Sequence, residues 1–197
     1  MLITYVIFLR SLSANIKYMD FDTYIFDFDG VVVDSEKFHW LSYKTDVTFE
    51  EYCKINHSLK GPYFRDTMDF LKKDQLYIEY IKDIPLVEGF EEFYRKLIRL
   101  GKSVYIVTNT SREIFDLFVQ KFPFLKDIPT VTGCKKPDPS GYLSVPVEGR
   151  VVVFEDSYRG FWSASQVFST VILVNTPDYV YFDTIQPRLV IRTFSEL

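Results

Sequence analysis

Apolar residues fall along this chain in two patterns. Four short runs lack polar alternation: Tyr24-Ile25-Phe26, Val104-Tyr105-Ile106-Val107, Val151-Val152-Val153-Phe154 and Val171-Ile172-Leu173-Val174. Each breaks off at polar residues, respectively Asp27, Thr108-Asn109, Glu155-Asp156 and Asn175. Such runs predict strands buried on both faces, the habit of a parallel sheet. Helical periodicity separates them. Glu88 to Leu100 sets Phe90, Phe93, Tyr94, Leu97 and Ile98 three and four apart, and Gly101 stops the pattern. Ser111 is a suitable N-cap for a helix reaching Lys121, with Ile114, Phe115, Phe118 and Val119 on one face. Strand and helix in alternation predict an α/β, doubly wound (Rossmann-like) parallel sheet.

Residues 35–85 break this rhythm. Phe38, Leu41, Phe49, Tyr52, Ile55, Met68, Leu71, Leu76 and Ile81 lie mostly at helical spacings, interrupted at Gly61-Pro62. They predict a small helical cap inserted after the first strand. The expected organisation is therefore a core made of 20–34 and 86–197, a cap of 35–85, and a leader of 1–19. The leader's apolar stretch, Leu2 to Leu9, is cut off by Arg10 and is too short to span a membrane. It has no basic residue ahead of it, as a signal peptide would.

Composition narrows the classes of function. The 197 residues are 47% apolar, which supports a sizeable core, and 19 Phe and 14 Tyr predict one rich in aromatic rings. Lys and Arg number 23 against 27 Asp and Glu, so no basic surface recommends nucleic acid or an anionic membrane as partner. Cys53 and Cys134 cannot make a disulfide framework, and no Cys/His cluster has zinc-ligand spacing. A reducing, cytoplasmic setting is expected, with a monomer as the simplest state.

Parallel sheets bind ligands beyond the carboxyl ends of their strands. Asp27, Thr108 and Glu155-Asp156 each follow an apolar run directly, so one crevice should collect them although they are far apart in sequence. Asp29 lies two residues past Asp27 and faces the same side if the chain stays extended; Gly30 then allows a sharp turn. Four carboxylates in one crevice repel each other and need cations among them. Lys136 offers one charge, and a divalent ion held by oxygens, Mg²⁺ where phosphate is also present, offers the rest.

These residues carry a family resemblance. Asp27-Phe28-Asp29-Gly30-Val31-Val32-Val33-Asp34-Ser35-Glu36 resembles the first signature of the haloacid dehalogenase superfamily. Thr108, Lys136-Pro137 and Glu155-Asp156-Ser157-x-x-Gly160 resemble the other three, in the expected order. The group most resembled carries a helical cap after the first strand and includes small-molecule phosphatases, phosphonate-cleaving enzymes and β-phosphoglucomutase. The resemblance implies that Asp27 is the nucleophile that becomes an aspartyl-phosphate. It makes Asp29 the acid toward the leaving oxygen and then the base toward water. Thr108 and Asn109 would hold the phosphoryl group, and Lys136 would neutralise it. Asp156, Asp27 and the Asp29 backbone carbonyl would bind Mg²⁺, with Glu155 behind them.

The cap has echoes of its own. His39 stands twelve residues after Asp27, as in many capped phosphatases, and Leu59-Lys60-Gly61 followed by Arg65 resembles the sugar-phosphate loop of β-phosphoglucomutase, one residue longer. Departures concern packing elements. Pro139, Gly141, Pro146 and Gly149 argue against a helix between Lys136 and Glu155, and the helix after Asp156 lacks the usual alanines. The implied activity is Mg²⁺-dependent hydrolysis of a small phosphorylated metabolite. A β-phosphoglucomutase-like isomerase and a catalytically degenerate binding protein are the alternatives.

Overall fold

The computed structural model describes residues 20–56, 70–174 and 190–197. The leader 1–19 and Arg65 lie outside the described residues. Six parallel strands form one sheet: β1 (Thr23–Phe26), β2 (Ser103–Val107), β3 (Thr130–Val131), β4 (Val151–Glu155), β5 (Val171–Val174) and β6 (Val190–Ile191). Their spatial order is β3-β2-β1-β4-β5-β6. The four apolar runs are the four inner strands, as a doubly wound α/β fold requires. The two edge strands have two residues each, too short to leave a periodic signal.

Alternation along the inner strands feeds two different cores. Tyr24, Phe26, Ile106, Val152, Phe154 and Ile172 face one layer, and Ile25, Val107, Val153, Val171 and Leu173 face the other. The first layer is built from rings. Phe26 stacks on Phe154 at 4.9 Å, and Phe93 of α4 (Phe90–Arg99) stacks on Phe194 at 5.4 Å while meeting Phe154 edge-on at 6.0 Å. The opposite layer is mostly aliphatic, with Tyr142, Phe161 and the buried Ala164 of α7 (Tyr158–Ser165) among its members.

Local sequence places the helix ends. Gly101, with φ 68°, follows α4 in the left-handed region, where a side chain would be strained. Ser111 caps α5 (Arg112–Lys121) by accepting from the Ile114 amide. Between Lys136 and Glu155 the structure corrects the sequence expectation: Ser140–Leu143 forms a single helical turn, α6. Pro139 precedes its first residue, where no amide is required, so proline starts the turn instead of preventing it.

Among the described residues three helices stand between β1 and α4: α1 (Glu36–Tyr43), α2 (Phe49–Asn56) and α3 (Phe70–Tyr80). Tyr43, Tyr52 and Cys53 form a small cluster of their own. The C-terminal end of α3 joins the main core through Tyr77, whose ring lies 6.5 Å from Phe118. None of the described helices is long and apolar enough to cross a membrane.

The ring layer gives the first prediction. Phe93→Ala should lower unfolding free energy by about 3–5 kcal/mol, because it empties a site bounded by rings that cannot collapse inward. A denaturant titration reads this as a lower midpoint at unchanged slope; a shift under about 1 kcal/mol would show that the layer is loosely packed.

Candidate active site

The parallel register brings the acidic residues together. Phe26 pairs with Phe154 across β1 and β4, so Asp27, just past β1, lies beside Glu155 at the end of β4, and its amide donates to the Phe154 carbonyl at 2.9 Å. Thr108 follows β2 on the other flank, and its amide bonds to the Val131 carbonyl at 2.9 Å. Single oxygens of Asp27, Glu155 and Asp156 lie within 4.8 Å of one another, and all three residues are buried.

Lys136 is the buried cation among them. Its Nζ donates to Asp27 Oδ1 and to Glu155 Oε1, both at 2.7 Å. Tyr142 of α6 also donates to Glu155 Oε1, and its ring lies 5.3 Å below the Lys136 ammonium. Burial works against that ammonium, but the charges of Asp27 and Glu155 outweigh it and keep the lysine protonated. Burial and then Glu155 push the Asp27 carboxyl well upward, with Lys136 pulling the other way.

Lys136 thus reaches two of the three clustered carboxylates. Glu155 Oε2 is buried, and among the described residues no donor reaches it. A side chain at Gly30 would come within 2.0 Å of Asp156 Oδ2, so the turn after β1 presses bare backbone against this carboxylate. A cluster of carboxylate oxygens of this kind fits a hard divalent cation such as Mg²⁺.

Asp29 belongs to a separate arrangement. Its Oδ1 accepts from Ser35 Oγ at 2.7 Å, Tyr77 Oη at 3.0 Å and His39 Nε2 at 3.1 Å, while Thr110 Oγ1 donates to Oδ2. Burial alone would raise this carboxyl; the hydrogen bond from His39, then those from Thr110 and Ser35, overcome it and hold Asp29 far below the usual carboxylate range. Lys73 Nζ, a donor only, lies 3.1 Å from His39 Nδ1. His39 therefore accepts at Nδ1 and donates from Nε2.

A cavity of about 220 Å³ opens over both arrangements. Asp27, Asp29, Thr108, Asn109, Lys136 and Asp156 form its floor, and His39, Tyr43, Lys73 and Tyr77 line the side made by α1 and α3. Asn109 also accepts the Lys136 amide at 3.0 Å through Oδ1, tying together the two loops that carry them. Glu155 lies behind the cavity wall, and Arg65 falls outside the described residues. Sequence reasoning missed Tyr77, Lys73, Thr110 and Tyr142. Tyr77 has the spacing of an ordinary core aromatic, and Tyr142 sits where proline and glycine masked the helical turn. Thr110, one residue past Thr108-Asn109, had a signal in its position.

No protein-family model matches the chain. No curated protein matches it either. Solved structures do. A HAD hydrolase, family IA, variant 3, of Entamoeba histolytica superposes with a TM-score of 0.70 at 20% identity, over 89% of this chain and 95% of that one. CbbY of Rhodobacter sphaeroides in complex with phosphate gives 0.68 at 19% identity, over 89% and 96%. A CbbY mutant in complex with xylulose-(1,5)bisphosphate gives 0.67 at 20%, over 90% and 96%. The chain has the α/β fold of haloacid dehalogenase-type hydrolases, with a buried acidic cluster at its strand ends.

Lys136→Met should destabilise the metal-free protein by about 3–5 kcal/mol, since it strands two buried carboxylates. Burial already raises Asp27 to about 8 in the parent against the pull of Lys136, and without the lysine it titrates higher still in the folded protein. The deficit relative to the parent should therefore grow as pH rises past about 8 in denaturant titrations with chelator. A deficit independent of pH would mean that lost packing, not charge, is the cause.

Proposed function

We propose that this protein is a Mg²⁺-dependent phosphatase of the haloacid dehalogenase type, acting on a small phosphorylated metabolite through an aspartyl-phosphate on Asp27. The observation that carries the reading is the pairing, in one cavity, of a lysine-neutralised carboxylate with a second carboxylate held apart from it by four donors. Structural neighbours that hold phosphate or a sugar bisphosphate support the substrate class.

Asp27 Oδ attacks phosphorus as the bond to the leaving oxygen breaks, and the leaving oxygen takes a proton from Asp29. Water then attacks phosphorus, gives a proton back to Asp29 and frees the Asp27 carboxylate. Splitting the reaction in this way lets one acid serve both halves. Lys136 offsets the repulsion between the attacking carboxylate and the phosphoryl oxygens, and the Thr108 hydroxyl takes up one of those oxygens. Mg²⁺, held by Asp27, Asp156 and the Asp29 carbonyl, would add positive charge at the phosphoryl group. With both oxygens accepting, Asp29 rests as a carboxylate, ready to take a proton from water. To serve as acid it first takes up a proton, which a monoanionic phosphate ester can carry into the site as one donor turns aside. Residues 35–85 act as the cap that closes over this chemistry.

The test is a panel of sugar phosphates, nucleotides and phosphonates assayed for released phosphate with and without Mg²⁺. Activity should vanish in chelator. Asp27→Asn, nearly isosteric, should fold normally by circular dichroism and turn over below about 1% of the parent rate. Asp156→Ala should raise the Mg²⁺ needed for half-maximal activity about tenfold or more. Full activity in chelator, or a working Asp27→Asn protein, would contradict the proposal.

A further inference from the structure

We propose that Tyr77 is a positioning residue which, with Ser35 and His39, anchors Oδ1 of Asp29 and leaves Oδ2 as the oxygen that carries the proton. The inference rests on the phosphatase reading above and assigns a division of labour inside it.

The two oxygens of Asp29 have unequal surroundings. Oδ1 receives three donors, from Ser35, His39 and Tyr77, at 2.7, 3.1 and 3.0 Å. Oδ2 receives Thr110 alone. A carboxylate oxygen has two lone pairs, so three donors sharing them more than fill Oδ1, while Oδ2 has one to spare. Asp29 also lines the cavity where a substrate would sit.

Tyr77 does more than fill one of three places. Its ring lies flat on the His39 imidazole, with centroids 4.0 Å apart and planes within 6°. Its hydroxyl and the His39 Nε2 thus reach the same oxygen side by side. Lys73 Nζ joins the pair, 4.7 Å from the Tyr77 centroid and 3.1 Å from His39 Nδ1. Tyr77 is itself 1% exposed and packs against Phe118 of the sheet's own helical layer. A rigid phenol, seated in the core, therefore sets where the carboxylate points. General acid catalysis depends on such placement, because proton transfer falls away once the acid leaves hydrogen-bond reach.

The demand for a proton depends on the leaving group, and this separates positioning from mere structural support. Benzyl phosphate and 4-nitrophenyl phosphate are similar in size, but a benzyl alkoxide needs a proton on departure and a nitrophenolate does not. The value of kcat/KM reports the first half-reaction alone. Tyr77→Phe keeps the ring and removes only the hydroxyl. It should cut kcat/KM for benzyl phosphate about tenfold or more while changing that for 4-nitrophenyl phosphate less than about threefold. Ser35→Ala removes a donor from the same oxygen and should show the same split; the Ser35 side chain makes no helix-capping bond, so its loss leaves α1 intact. If Tyr77→Phe does not fold, Ser35→Ala decides. Equal losses on both esters, or no loss on either, would overturn the proposal while leaving the phosphatase reading in place. A wild-type protein inert toward both esters and the whole phosphate panel would remove that reading and this proposal with it.

Discussion

The Lys136 ammonium lies 2.7 Å from carboxylates at the ends of two neighbouring strands, and the site is organised around that double contact. Burying a charge costs several kcal/mol unless partners are fixed in place. Here the partners are fixed by backbone. The in-register pairing of β1 with β4 sets Asp27 beside Glu155, and bare backbone at Gly160 admits the Glu155 carboxylate, whose Oε2 would be only 1.8 Å from any added side chain. Tyr142 completes the shell from α6. The clustered carboxylate oxygens of Asp27, Glu155 and Asp156, with Glu155 Oε2 buried and unreached by a donor among the described residues, are the physical reason to expect a divalent cation at this place.

A second constraint joins the helices of 35–85 to the sheet. Three of the four donors to Asp29 come from that segment, and the fourth, Thr110, follows β2. Farther along the segment, Lys121 of α5 donates to the carbonyls of Ile81, Lys82 and Ile84 at 2.8, 2.7 and 2.5 Å, spending all three ammonium protons on the chain that leaves α3. The C-terminal half of α3 is thereby seated on the core.

What the sequence revealed follows from where each signal lives. Strands β1, β2, β4 and β5 are buried on both faces, and their uninterrupted apolar runs, each ending in a polar residue, marked both the sheet and the crevice. The edge strands at Thr130–Val131 and Val190–Ile191 carry too few residues for any period to register. Asp27, Asp29, Lys136 and Asp156 were legible because their charges sit directly beside strand ends or a Lys-Pro turn. Tyr77 and Tyr142 were not, because a tyrosine that packs like phenylalanine gives no hint in sequence that its hydroxyl reaches a carboxylate. Such partners are set by tertiary contact between elements far apart in the chain.

The central claim is that Asp27 becomes covalently phosphorylated, and the intermediate can be sought directly. Wild-type protein mixed with Mg²⁺ and an excess of 4-nitrophenyl phosphate should be quenched in acid within a single turnover, then digested and weighed by mass spectrometry. The account predicts one added phosphoryl group on the peptide that contains Asp27, labile to hydroxylamine and missing from Asp27→Asn. Turnover with no adduct on that peptide, or with the phosphoryl group on another residue, would contradict it.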